Sequence, residues 1–408
     1  MSQPHFRFLH AGGFALDQPL FGFAEPPEPL GDLLIDAPYL AAQKVFDAAL
    51  EERVDFVVLT GDLVDLARPS PRAIALLLEN FERLDAHGIA TYWSGGRLDS
   101  PQDWPAAARL PGGVQVFPAL APEELSHFRG DRPAANIVGR SWHGTASVQV
   151  GDFKSDADGL PTIVVAYGQA EAERLADQMV DYWALGGQPQ RQTFGSARRV
   201  IHYAGSPQGR CPAENGPHGC TLVHVAADRT IRSQFTPTDA VRWQTERIAV
   251  EADATLETVR EQLADRVKQL RAEAESRPQI VTWKIKGGEH LAGPAARRDL
   301  AAEWQAWLRR EFSAGKPIVW THAVEIDTPE LPDAWFDEES MLGDFLRNLR
   351  ELAALEPAAA DLAQHIPQQH RTSALAALTS WSEEEHRTIL YDAALTGAEL
   401  LGAGDREP

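Results

Sequence analysis

Three carboxylates, Asp62, Asp65 and Asp99, close short apolar runs in the segments VVLTGDLVD (Val57 to Asp65) and YWSGGRLDSP (Tyr92 to Pro101). Carboxylates on loops just past apolar strands are placed to hold a divalent cation or to move a proton. Three further segments have the same strand-then-loop character: FLHAGGFALD (Phe8 to Asp17), IVVAYG (Ile163 to Gly168) and YWALGGQPQRQ (Tyr182 to Gln192). They contribute His10, Asp17 and Tyr167, and His143 and His202 lie elsewhere in the same half of the chain. None of these has the spacing of a zinc helix, a thiol pair, a nucleophile elbow or a phosphate-binding loop. His10, at a strand end, and His143, beside Trp142, are therefore read as hydrogen-bonded structural residues rather than as a relocated site.

Charge narrows the partners. With 38 basic and 59 acidic residues the net charge is −21, which argues against broad nonspecific DNA binding, since that affinity comes from neutralising phosphates. One stretch departs from this balance: no acid occurs between Asp181 and Glu214, while Arg191, Arg198, Arg199 and Arg210 do. With Arg97 these form a candidate phosphate or DNA contact, and solvated loop cations are the equal alternative. Cys211 and Cys220 fit a reducing compartment; their spacing admits a loop disulfide or no bond at all. The absence of a signal-peptide pattern and of a run of about eighteen apolar residues gives the expectation of a cytoplasmic, non-membrane protein.

Layered α/β elements must position these residues. Runs at Phe6 to Ala11, Val54 to Thr60, Ile89 to Trp93, Thr162 to Ala166, Tyr182 to Leu185 and Thr221 to Val225 read as strands. Amphipathic helices are predicted at Ala37 to Glu52 and Pro71 to His87. A compact βαβαβ unit follows: strand Arg247 to Val250, helix Leu256 to Glu273, strand Ile280 to Lys286, helix Ala295 to Phe312, strand Ile318 to Glu325. The prolines of Asp327 to Asp333 mark a linker. The tail reads as helical, with an apolar stripe from Met341 to Leu355 and a capping box, Ser382 with Glu385, opening a last helix.

The order and spacing of the five segments resemble the SbcD-type nuclease subunit of bacterial SbcCD complexes, within the calcineurin-like metallophosphoesterases of the DNA repair exonuclease family. There the stations read D-x-H, G-D-x-x-D, G-N-H-D, a lone His before Gly, and G-H-x-H. VIHYAGSPQGRCPAENGPHGCTLVHV (Val200 to Val225) is similar to the family's segment after the last station. The resemblance is strong over roughly the first 235 residues and holds only in outline beyond. It implies a metallophosphoesterase-type two-sheet α/β sandwich flanked by helices over residues 1–236, a βαβαβ capping domain over 244–328 and a helical C-terminal region over 335–404.

The same resemblance puts metal ligands at Gly13, Ala15, Asp62, Arg97, Tyr167, Gly187 and Pro189, and the general-acid histidine at Leu98. Only Asp62, where the family has the carboxylate that bridges both metals, keeps the family's residue; Asp65 and Asp99 remain as supporting carboxylates. Loss of one residue behind a ligand costs 10–100-fold in affinity or activity, so loss of most ligands and the acid leaves no organised binuclear centre. The expectation is a pseudo-nuclease with no cofactor, manganese being the ion if the site works after all. It implies a homodimer serving an SbcC-like coiled-coil ABC ATPase, with DNA a further partner. A repurposed phosphoesterase and an inert scaffold are the alternatives. With the metals gone, three readings of Arg97 stay open: it neutralises Asp62, Asp99 or both through charge-assisted bonds, it holds a DNA phosphate without cutting it, or it points to solvent from its Gly-rich loop.

Overall fold

Strand residues in the first half of the chain alternate between two environments, and that alternation builds the fold. In β1 (Phe6–Ala11) Phe6 and Phe8 face one core while Leu9 and Ala11 face another. Strand β2 (Phe56–Thr60) is buried throughout, as a central parallel strand covered on both faces must be. Its Phe56 and Val58 join Phe8 between two sheets, and Val57 and Leu59 pack beneath helices. The Phe8 and Phe56 rings stack with centroids 4.9 Å apart.

The computed structural model describes residues 5–23, 28–144, 147–148, 151, 153, 159–176, 178–275, 277–288, 291–292, 294–327, 331–354 and 383–401. The remaining strands are β3 (Ala90–Ser94), β4 (Val114–Val116), β5 (Glu123–Arg129), β6 (Arg132–Arg140), β7 (Thr162–Tyr167), β8 (Tyr182–Gly186), β9 (Gln192–Ser196), β10 (Arg199–Tyr203), β11 (Gly219–Val225) and β12 (Ile231–Pro237). They form two six-stranded sheets, ordered β12-β11-β1-β2-β3-β4 and β5-β6-β7-β8-β10-β9. Strands β1 to β4 are parallel in the first sheet, as are β6, β7, β8 and β10 in the second. Helices α1 (Gly31–Glu51) and α2 (Pro71–Ala86) cover the first sheet's outer face, and the short α3 (Ala172–Ala176) packs on the second. This is the two-sheet α/β sandwich expected of the sequence.

Helix α1 begins six residues before the predicted start and carries Pro38 within it. Proline in a helix interior removes a backbone bond. Burial outweighs that loss, because Leu30, Leu34 and Ala37 pack against Val241 and Trp243. Helix α2 starts at its predicted residue: Ser70 caps it by accepting the Ala73 amide at 3.1 Å, and Pro71 supplies the first turn. The hairpin β9–β10 went unread in the sequence because every residue of β9 is exposed and carries no apolar alternation.

The chain divides into two compact units, residues 1–245 with 273–281 and 315–320, and residues 246–272, 282–314 and 321–408. Strands β13 (Arg242–Ala249), β14 (Gln279–Lys286) and β15 (Val319–Ile326) make a three-stranded sheet in that order. Helix α4 (Leu256–Glu273) buries Val259, Leu263, Val267 and Leu270, and α5 (Pro294–Phe312) buries Trp304 and Leu308. After the short α6 (Asp333–Phe336), helices α7 (Met341–Ala354) and α8 (Glu383–Leu400) pack through Leu342, Leu346, Ala394 and Ala398. Leu355 and Ser382, and with it the predicted capping box, lie outside the described residues. Cys211 and Cys220 are both free thiols, and burial pushes the Cys220 thiol up to about 12. Among the described residues no helix is long and apolar enough to cross a membrane.

Candidate functional site

All five segments end at the carboxyl ends of parallel strands, where ligands of open α/β sheets gather. Gly13 and Ala15 follow β1, Asp62 follows β2, and Arg97, Leu98 and Asp99 follow β3. From the other sheet come Tyr167, at the end of β7, and Gly187 and Pro189 after β8. Two glycines let the halves meet. A Cβ at Gly186 would sit 1.8 Å from the Thr60 carbonyl oxygen, so the ends of β2 and β8 touch backbone to backbone. Gly61 adopts φ +72°, and a Cβ there would meet the Gly96 amide at 2.5 Å.

The result is one pocket of about 390 Å³ lined by Gly13, Ala15, Asp62, Arg97, Leu98, Tyr167, Gly187 and Pro189, together with Gln18, Gln188, Ser206 and Arg210. Every position to which the resemblance assigns a ligand or the general acid therefore faces the same space. Gln18 and Gln188 were not singled out in the sequence, and Ser206 stood out there only as part of the segment after the last station. Ser206 sits in the recognisable GSPQG run, whereas nothing in the sequence around Gln18 marks it, because its role arises from a 2.5 Å bond donated by Arg210 across 192 residues.

Asp62 is held from both sides. Its Oδ1 accepts the Leu98 amide at 2.9 Å and its Oδ2 accepts the Tyr167 hydroxyl at 2.5 Å. Burial, and then the negative charge of Asp62, push the Tyr167 phenol well above its ordinary value, so it stays a donor. Asp62 itself has φ +54°, and Ala15 has φ +46°; left-handed backbone at such residues is sparsely populated and clusters at ligand sites. Asp99 is fully buried beneath the pocket. It accepts the amides of Asp62 at 2.7 Å, Leu63 at 3.0 Å and Gly96 at 2.6 Å, and the Trp93 indole at 3.1 Å. Burial raises its carboxyl to about 7, against the pull of those N–H groups.

Several placements differ from the sequence expectation. Arg97 is exposed at the pocket wall, and among the described residues it forms no ion pair with Asp62 or Asp99. The compensation comes from Tyr167 and backbone amides, which reach both carboxylates without bringing a guanidinium out of water. Asp65 stands outside the pocket and accepts the Ala67 amide at 3.0 Å. The five arginines do not form one patch. Arg210 and Arg97 line the pocket, and Arg191 lies over the Phe235 ring in a neighbouring cavity that shares Pro189 and Ser206 with it. Arg198 and Arg199 sit at the turn that starts β10, the end of the strand remote from the pocket, with Arg198 3.9 Å from Asp228.

His10 and His202 lie buried between the sheets, not on the rim. His10 meets the Tyr182 hydroxyl at 3.1 Å and Thr60 Oγ1 at 3.3 Å, and His202 bridges Thr193 and Thr221 at 2.8 Å each. Burial lowers both, His202 to about 4, so both rings are neutral at neutral pH. Asp17 binds Ser70 and Tyr39 and so ties the first loop to α2. Among the described residues no three His, Cys, Asp or Glu side chains are grouped so as to hold a metal ion.

The chain is 29% identical over 341 residues to the uncharacterized metallophosphoesterase YhaO of Bacillus subtilis (strain 168), covering 79% of this chain and 81% of that protein. No protein-family model matches the chain. Among solved structures, the chain is similar to TT1561 of Thermus thermophilus, at 13% identity over 57% of this chain and 99% of that one, with a TM-score of 0.34. A dimetal phosphatase from Danio rerio gives 10% identity over 57% and 99%, with a TM-score of 0.35. Likeness at that level adds nothing to the fold already evident in the sheets and says nothing about activity.

Proposed function

We propose that this protein belongs to the metallophosphoesterases and is a pseudo-nuclease: a subunit that keeps the family's architecture, has given up hydrolysis, and serves an SbcC-like ATPase as a noncatalytic partner in DNA repair. The observation that carries the loss of chemistry is the state of Asp62. Two divalent cations about 3.5–4 Å apart need anionic or imidazole donors around both, with one carboxylate shared between them. Here both oxygens of Asp62 are occupied by the Leu98 amide and the Tyr167 hydroxyl. Gly13, Ala15, Leu98, Gly187 and Pro189 offer the pocket no side-chain donor atom. The residues present do not fit a dimetal centre, and no hydrolytic step is assigned to them.

The ATPase partner rests on the SbcD resemblance. It is supported by the pair α7 and α8, which leaves Met341 75% and Leu400 80% exposed beside an apolar hollow lined by Phe345, Ala393 and Leu401. The test is metal content of the purified protein after incubation with excess manganese, with nuclease turnover on linear duplex in the same sample. No stoichiometric metal and no turnover are expected. Bound manganese with turnover abolished by Asp62→Ala would overturn the reading in favour of a repurposed phosphoesterase. Failure of a purified SbcC-type ATPase to bind the full chain would leave only an inert scaffold.

A further inference from the structure

We propose that a second cleft, at the opposite end of β1 from the pocket, binds a ligand carrying linked phosphates. The cleft has a volume of about 950 Å³ and is lined by Arg7, Arg53, Arg129 and Arg232, with His224 between them. Arg7 in the cleft and Gly13 in the pocket are six residues apart along β1 and the turn after it, a distance of ~20 Å at the usual rise, so the two sites are distinct.

Two features of this cleft bring basic side chains together. Arg7 pairs across the sheet with His224, and His224 with Arg232, which sets basic side chains side by side on three adjacent strands. Arg53 closes α1 at φ +48°, a left-handed position where glycine is the usual residue because a side chain strains it. Both features fall where basic side chains reach the same space.

Two acids, Asp55 and Asp228, also line the cleft, and both are already engaged. Asp55 takes Arg129 at 3.1 Å and the Arg7 amide at 2.9 Å, and Glu52 pairs with Arg7 at 3.3 Å. Asp228 accepts the Thr230 amide and hydroxyl at 3.0 and 2.8 Å. The side chains of Arg53 and Arg232 have no hydrogen bond or ion pair among the described residues. Two uncommitted guanidinium groups at separate points of one cleft match an anion with charge spread over several oxygens, since each planar fork can take two oxygens of a phosphate group. A single carboxylate would satisfy only one of them. In a chain of net charge −21 the local excess of cations is a selective feature rather than a background one.

The test is calorimetric titration of the full chain, with chelator present and at low salt, using sodium tripolyphosphate and, separately, ATP. Saturable binding is expected. Arg53→Gly, which relieves the backbone strain and so does not threaten folding, and Arg232→Gln are each expected to weaken it by at least tenfold, by the loss of a charged fork. An equal response to both probes identifies the phosphate chain as the ligand, and a response to ATP alone identifies a nucleotide. Absence of saturable heat into the millimolar range overturns the proposal. So does binding that survives both substitutions, or that is lost instead on Arg210→Gln in the pocket.

Discussion

Replacing Tyr167 by Phe removes a single hydroxyl from the pocket and tests whether that hydroxyl has taken over the task of satisfying Asp62. The bond is short, 2.5 Å, and its acceptor is a carboxylate. Hydrogen bonds to charged groups contribute about 1.5–3 kcal/mol. The lower end applies, because Asp62 is only half-buried and water entering a 390 Å³ pocket can replace part of the bond. The expected loss is about 1.5 kcal/mol, or about 3–6 °C in the melting temperature of a unit of this size. Urea unfolding followed by tryptophan fluorescence measures it. A double-mutant cycle with Asp62→Asn isolates the pair, since Asn tolerates the left-handed backbone at that position. Coupling below about 0.3 kcal/mol, within ordinary additivity, would mean that the hydroxyl and the carboxylate do not support each other and that Asp62 is free to ligate.

Three further outcomes follow from the geometry. His202 has a lowered value in the folded state, about 4, so the unfolded chain takes up the proton first, and stability is full above about 6.5 and falls as pH drops towards 4. Between pH 7 and 5 the contribution is about 2 kcal/mol. Asp99, held up near 7, acts in the opposite sense, so the readout is the change in pH slope on His202→Gln; an unchanged slope contradicts a neutral buried ring. Gly186→Ala forces a Cβ into the Thr60 carbonyl and is expected to destabilise by about 3 kcal/mol, seen in thermal melts, whereas a melt within a degree of the parent would show that the sheet ends can part. Arg97→Ala should stay within about 0.5 kcal/mol, because the side chain is exposed; a larger loss in urea unfolding would restore the idea that it neutralises the site.

The sequence alone determined the layers and the address of the pocket. Alternation in FRFLHA and continuous burial in FVVLT are local properties, and they fix which side chains face another sheet and which face helices. The segments after those strands had to meet, because carboxyl ends of parallel strands lie at one edge of a sheet. What satisfies Asp62 was not legible. Arg97 was the natural candidate by charge, yet the bond went to Tyr167, 105 residues from Asp62 and on the other sheet. That choice depends on how closely the sheets approach at Gly186 and on the cost of drawing a guanidinium out of water, neither of which a linear pattern encodes. The arginine-rich stretch failed for a related reason. Proximity in sequence placed Arg198 and Arg199 beside Arg191, but a strand carries residues about 3.3 Å apart, and β10 leads from that turn away to the pocket. The cleft at the start of β1 was likewise hidden, since Arg7, Arg53, Arg129 and Arg232 become neighbours only when β1, α1, β5 and β12 are folded together.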